Sequence, residues 1–438
     1  MLLSIWSQIL FSLLFFSGIG LFVRHMVRLR QTIFLGRPEK IDDQPKKRWA
    51  QMVRVAMGQS KMGARFVPGI LHGVVYLGFI IINIEVLEIV LDGFLGTHRL
   101  FAGLPGYRFL INTFELLALL VVIAVSVFWI RRNAIHVKRL AHGELKGWPR
   151  LDANLILYIE WFLMGLFLLM NAADAQLQQL GAPHYPTVGP WVVSSFIQPL
   201  FAGLPASMLV VIERGAWWLH IAGILFFLNY LYYSKHLHIL LAFPNTYYAK
   251  IKALGALSNN KDVQREVALM MDPNASIPGA ESTAPVAFGA QDVTDLSWNY
   301  LLQAYSCTEC GRCTSECPAN QTGKKLSPRR VVMQTRDRAQ EIAHQNKVLT
   351  GELDLSGSRL LHDRITPEKL WACTTCNACT DACPIGIDPL SIIMEMRRYL
   401  VMEESSAPLE LNNMMGTIEN NGAPWPFSQM DRAQWTQK

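Results

Sequence analysis

Cysteine is missing from most of this chain: none of its eight cysteines precedes Cys307. A secreted disulfide protein would spread its cysteines through the folded part, so that class is excluded and metal ligation in a reducing compartment is indicated. Charge is also scarce, at 17% of residues, and the stretch from Asp174 to Glu213 holds no lysine or arginine at all. The N-terminal stretch up to Arg24 has neither a basic n-region nor a small-residue cleavage site, which reads as a retained first span and not as a signal peptide. Although the net charge is +6, no aromatic–basic interleaving or nucleic-acid signature accompanies it, so no nucleic-acid partner is expected.

What the chain does have is hydrocarbon. Of 438 residues, 51% are hydrophobic, and the mean hydropathy is +0.21. Five apolar segments, at about Leu3–Val23, Phe66–Leu91, Tyr107–Ile130, Leu155–Ala173 and Ala216–Leu240, are each long enough to cross roughly 30 Å of hydrocarbon. Eleven lysines and arginines lie in Arg24–Arg65 and six in Arg131–Arg150, against one (Arg99) in Asp92–Gly106. The positive-inside rule then puts the N-terminus outside and everything after the fifth span in the cytoplasm, as for a multi-pass protein of the cell's inner (cytoplasmic) membrane. Gly189–Ile212 is apolar too, but a sixth span would move the cysteines outside, so it reads as a re-entrant or interfacial outer segment. The hexapeptide LFAGLP occurs at Leu100–Pro105 and again at Leu200–Pro205, as two similar helix entries.

The organisation expected is a membrane domain over 1–250, a linker over 251–292, a cluster domain over 293–404 and a tail over 405–438. Residues Leu257–Asp292, including SIPGAESTAPVAFGA, have linker composition. Beyond them, Cys307, Cys310, Cys313 and Cys317 precede Pro318, and Cys373, Cys376, Cys379 and Cys383 precede Pro384. Both runs are C-x₂-C-x₂-C-x₃-C-P, the spacing that ligates two [4Fe–4S] clusters. Three cysteines curl around three irons and the fourth reaches the other cluster. Cluster one therefore draws on Cys307, Cys310, Cys313 and Cys383; cluster two draws on Cys373, Cys376, Cys379 and Cys317. Paired zinc sites would leave the x₃-C-P unexplained. With all eight cysteines used, none is left as a nucleophile, and no catalytic residue is identified.

Haem b in a helix bundle needs two neutral imidazoles at one depth. His72 lies near the cytoplasmic end of the second span, and the fifth carries His220, His236 and His238. On one continuous helix, His220 and His238 would be about 27 Å apart along the axis, which makes His238 the partner of His72. The competing reading treats His236 and His238 as interfacial anchors beside Lys235. Glu85, Glu88, Glu115, Glu160 and Asp174 lie in or near spans and either serve a quinone's protons or close interhelical hydrogen bonds.

The membrane part resembles the cytochrome b (gamma) subunit of respiratory nitrate reductase and the membrane subunit of heterodisulfide reductase. His72, His220 and His238 match three of that family's four ligand positions; the fourth, ten residues beyond His72, is Ile82. The resemblance leaves His220 to a second haem or to a structural role. The stretch DLSWNYLLQAYSCTECGRCTSECPANQTGKKLSP is similar to heterodisulfide reductase-like iron–sulfur proteins. So is the tail NNMMGTIENNGAPWPFSQMDRAQW, with Ala423 and Pro426 replacing the usual asparagine and glycine. The helical character between the cysteine runs resembles the α-helical ferredoxin domains of fumarate reductase iron–sulfur subunits. An all-α protein is therefore expected: a five-helix cytochrome b-like bundle and an α-helical ferredoxin domain with two [4Fe–4S] clusters. The function implied is electron transfer between a cytoplasmic donor and menaquinone or ubiquinone. The donor side implied is a CCG-domain iron–sulfur or reductase subunit fed by electron-transfer flavoprotein. The alternative is an electron-supplying subunit of a heterodisulfide reductase-like thiol–disulfide complex.

Overall fold

A computed structural model describes residues 5–257, 259–272, 288–345, 355 and 357–437. Among them, five helices are long and apolar enough to cross a membrane: α1 (Ile5–Ile33), then, after the short α2 (Pro45–Met52), α3 (Phe66–Leu95), α4 (Tyr107–Asn133), α5 (Trp148–Gln179) and α6 (Ala206–Tyr230). The described residues contain no strand, only two isolated bridges. The first four spans outrun their apolar runs because helices continue past the hydrocarbon where polar side chains reach water. The five pack around a core that includes Phe11, Ile82, Phe114, Phe167 and Trp217. Close approach of α1 to α3 requires Gly93, where a Cβ would lie 2.5 Å from the Phe11 ring.

The fifth span departs from the expected Ala216–Leu240. It begins at Ala206, so the end of the apolar Gly189–Ile212 segment belongs to it, and the start of that segment forms two 3₁₀ turns, Ser194–Phe196 and Gln198–Phe201. At the other end, α6 passes into a 3₁₀ turn, Leu231–Tyr233, and stops at Ser234. Ser234 is extended (φ −110°, ψ 146°) and its hydroxyl accepts the His236 N–H, starting a new turn. Side-chain capping of this kind competes with continued helix. His238 thus opens a separate helix, α7 (His238–Tyr248), and the axial rise expected for one continuous helix does not apply to His220 and His238.

Part of the stretch read as linker forms α8 (Lys261–Met271); the segment SIPGAESTAPVA lies outside the described residues. The cysteine domain is built from α9 (Trp298–Ser306), α10 (Arg312–Ser315), α11 (Pro318–Gln321), α12 (Pro328–Gln345), α13 (Pro367–Trp371), α14 (Ala378–Ala382) and α15 (Pro389–Met402). Its apolar core joins Leu301, Val331, Leu361, Ile392 and Met396. It is fastened to the membrane domain. Arg37 exchanges backbone hydrogen bonds with Leu296 and Trp298 (2.7 and 3.1 Å). That contact needs Gly36, where a Cβ would meet the Leu296 carbonyl at 2.7 Å. Asn245 of α7 donates to the Ile385 carbonyl (2.7 Å). Arg48 of α2 donates to the Tyr247 and Ala249 carbonyls at the C-terminal end of α7, where a cation is favoured. A last helix, α16 (Leu409–Asn421), buries none of its residues.

Candidate redox centres

The two cysteine loops share one backbone device. In the first, Glu309 (φ +55°) and Gly311 (φ +74°) are left-handed; in the second, Thr375 (φ +58°) and Asn377 (φ +61°) are left-handed at the matching positions. These turns curl each loop inward. They aim the Glu309 N–H at Cys307 Sγ (3.4 Å) and the Thr375 N–H at Cys373 Sγ (3.5 Å), and the Ile387 N–H reaches Cys383 Sγ (3.3 Å). N–H groups directed at cluster sulfurs are one of the terms that set reduction potential.

Cys307, Cys310, Cys313 and Cys383 line one cavity, closed by Ile385 and Ile387. The fourth cysteine of the second run therefore lies with the first three of the first. Cys373 has Cys317 and Cys376 as charged neighbours, and Cys379 has Cys373 and Cys317. Among the described residues no three ligand side chains converge on one point as a single ion would need; the first group of sulfurs surrounds a space instead. Burial pushes the Cys307 and Cys379 thiols up to about 12 and Cys383 to about 11. Thiolates there need the positive charge that bound iron supplies.

The loops differ in their surroundings. Arg139 donates to the Cys310 carbonyl, and Arg329 donates to the Arg139 carbonyl (3.0 Å). Arg65 pairs with Glu316 (2.9 Å), and Arg312 holds the Lys61 carbonyl (3.1 Å). The basic loops that orient the spans thus also grip the first cysteine run. In the second run, Cys376 is exposed.

His72 and His238 come together, their ring centroids 6.4 Å apart and their planes 44° apart. With a metal–imidazole bond of about 2.0–2.1 Å, two rings binding one iron from opposite sides have centres about 6 Å apart, so the pair fits a bis-imidazole haem. The His72 Nδ1 is buried without a hydrogen-bond partner. Burial pushes His238 down to about 3 and His236 to about 4, which keeps both neutral, as a ligand imidazole must be. The His238 Nδ1 lies 3.2 Å from the Lys235 carbonyl, which can only accept, so the Nε2 is left to ligate. His236 stands 5.4 Å from His238 and 4.0 Å from Glu160.

His220 is placed otherwise. Its Nδ1 contacts the Leu163 carbonyl (3.0 Å) and its ring lies 6.2 Å from Phe167. Among the described residues no histidine ring is paired with it, and Ile82 is packed into the apolar core. His98 instead contacts Arg214 (2.9 Å) and faces Asp174 (3.4 Å).

Glu85, Glu88, Glu115 and Asp174 belong to one network around Arg99, which sequence reasoning did not single out. Arg99 donates to Asp174 (2.6 Å), Asn171 (2.8 Å) and the Tyr107 hydroxyl (3.3 Å). Tyr107 donates to Glu88 (2.7 Å), and Glu115 accepts from Asn171 and from the Val193 N–H (2.9 Å). Glu85 makes no hydrogen bond and lies 3.5 Å from Arg99. The first LFAGLP joins this network, its Leu100 and Phe101 N–H groups donating to Asp92 and Glu88. In the second, Phe201 packs with Leu209.

The family described as "4Fe-4S dicluster domain" matches residues 306–387. Over 98% of its length the chain is 28% identical to the "Probable iron-sulfur-binding oxidoreductase FadF" of Bacillus subtilis, and over 88% it is 25% identical to the "EtfAB:quinone oxidoreductase" of Syntrophomonas wolfei. It spans 60% and 53% of the length of those two relatives. A relative from Archaeoglobus profundus, named for its likeness to a heterodisulfide reductase subunit, is 29% identical over 26% of the chain and 49% of its own length. No solved structure matches. The described residues thus join five helices long and apolar enough to cross a membrane to an α-helical 4Fe–4S dicluster domain, in a chain similar to iron–sulfur oxidoreductases and heterodisulfide reductase subunits.

Proposed function

We propose that the chain carries electrons between a cytoplasmic donor and the quinone pool, menaquinone or ubiquinone. In this reading it does so in the cell's inner membrane, with its N-terminus outside and its cysteine domain in the cytoplasm. Cys307, Cys310, Cys313 and Cys383 hold one [4Fe–4S] cluster, and Cys373, Cys376, Cys379 and Cys317 hold the other. His72 and His238 hold haem b at the cytoplasmic end of a nitrate reductase gamma-type bundle, and His220 serves as a structural residue hydrogen-bonded to α5. When bound, these groups take up and release electrons one at a time.

The protein's part is placement. The left-handed residues wrap each loop, Arg139 and Arg65 seat the first loop on the membrane domain, and the neutral His238 ring is oriented by the Lys235 carbonyl. The exposed Cys376 and the tail after 405 make the outward face for a donor. A CCG-domain protein docks there in this reading, with an electron-transfer flavoprotein behind it, as the printed name of the Syntrophomonas relative suggests. The observation that carries the proposal is the His72–His238 pair at 6.4 Å.

A reduced-minus-oxidised optical spectrum of the purified protein, with iron, sulfide and haem assayed per chain, tests it. About eight irons and one b-type haem are expected, with the α-band lost in His72→Ala. Iron without haem would sink the histidine assignment. Similarity to several heterodisulfide reductase proteins supports a second reading, in which the chain supplies electrons to a thiol–disulfide partner. The substrate of a copurifying partner separates the two.

A further inference from the structure

Lys235 stands between the histidine pair and the first cysteine loop, touching His238 on one side and Glu309 on the other. Its backbone carbonyl orients His238 through Nδ1 (3.2 Å). Its side chain runs the other way and donates to Glu309, inside the first cysteine loop. Glu309 in turn sends its backbone N–H to Cys307 Sγ (3.4 Å). Every other polar atom of Lys235 is also fixed: its N–H donates to Asp152 (3.1 Å) and Nζ to the Pro149 carbonyl (2.7 Å). Asp152 is held by the Tyr230 hydroxyl (2.7 Å), and the second oxygen of Glu309 by Arg336 (2.9 Å). The Lys235 and Glu309 side chains are 10% and 3% exposed. Ions so enclosed lose water, so each needs its partner, and removing one leaves the other buried and unpaired.

We infer that Lys235 is a positioning residue that joins the cluster-one ligand loop to the haem-ligand imidazole through Glu309. It thereby fixes both the separation of the two centres and the electrostatic field at cluster one. The helix break at Ser234 makes this possible, because Lys235 opens a new 3₁₀ turn in which its carbonyl meets both the backbone N–H and the Nδ1 of His238, while its side chain turns toward the cysteine domain. The inference rests on the haem proposed at His72 and His238, while its Glu309 half concerns the cluster alone.

Lys235→Met and Glu309→Gln separate the two arms. The methionine variant keeps the backbone carbonyl that orients His238 and loses the ammonium with its hydrogen bonds to Glu309 and Pro149; the glutamine variant keeps the shape of Glu309. Iron and haem are assayed per chain, cluster midpoints are followed by EPR-monitored redox titration, and intramolecular electron exchange is measured on loaded molecules. The expected result is that one cluster signal moves and the other stays. Loss of the lysine cation makes reduction harder and lowers that midpoint; loss of the glutamate anion raises it. Electron exchange slows in both variants, and Lys235→Arg restores both properties.

Unchanged midpoints and exchange in loaded K235M and E309Q would overturn the inference. So would shifts of the same sign, or loss of iron from all three variants, which marks a strut and nothing more. Wild-type protein without haem would remove the His238 end, but the opposed cluster shifts would still decide the Glu309 end.

Discussion

The two cysteine loops have the same spacing and the same pair of left-handed residues, yet they meet different surroundings. The first is covered by Arg139, Arg65 and Lys235 from the membrane domain. The second presents Cys376 to solvent. Spacing and backbone curl therefore decide how a loop holds iron, and the neighbours decide what the held group can exchange electrons with. In the proposed function the loop packed on the membrane domain serves the histidine pair, and the exposed loop serves the donor.

The comparison can be broken most severely at the shared cysteines. Cys383→Ser should cost the cluster of the first loop although it lies in the second run, leaving about four irons per chain and one EPR signal. Loss of the second loop's signal instead would mean that the fourth ligands do not cross over. Chelator or oxygen should remove the cluster beside Cys376 well before the buried one, which stepwise EPR loss during iron chelation would show. Gly311→Ala should cost about 1–2 kcal/mol for the left-handed backbone, with added crowding against Arg329 Nη1, 2.6 Å from the new Cβ; denaturant unfolding measures it. Arg139→Ala should loosen the first loop by about 1.5–3 kcal/mol, the range for a hydrogen bond to a charged group. Amide exchange should rise over 307–313 and stay level over 373–379. The smallest effect belongs to Asn377→Gly, where glycine adopts the same φ without strain, and stability should move by a few tenths of a kcal/mol.

Much of this was legible from local pattern. Apolar run length marks a membrane helix because hydrocarbon thickness is fixed, and basic loops mark one side. Cysteine spacing marks a cubane because the ligand geometry is short-range. The network around Arg99 was legible only in pieces. Each acid could be flagged as costly in a span, but Arg99 stands in a loop of unremarkable sequence and turns inward to meet them. The fifth span misled because Tyr232, Tyr233 and Leu237 continue its apolar character across a break made by one serine hydroxyl.

By itself the sequence determined the five spans, the helical cysteine domain and the ligand types, since all three follow from composition and from contacts between residues close in the chain. Only the tertiary structure decided that His72 meets His238 while His220 meets a carbonyl, that the first loop is covered by Arg139 and Arg65 while the second leaves Cys376 exposed, and that Lys235 bridges to Glu309. Those contacts join residues that are distant in sequence, and which of several possible partners a buried polar group takes depends on packing and on the desolvation of every competing site.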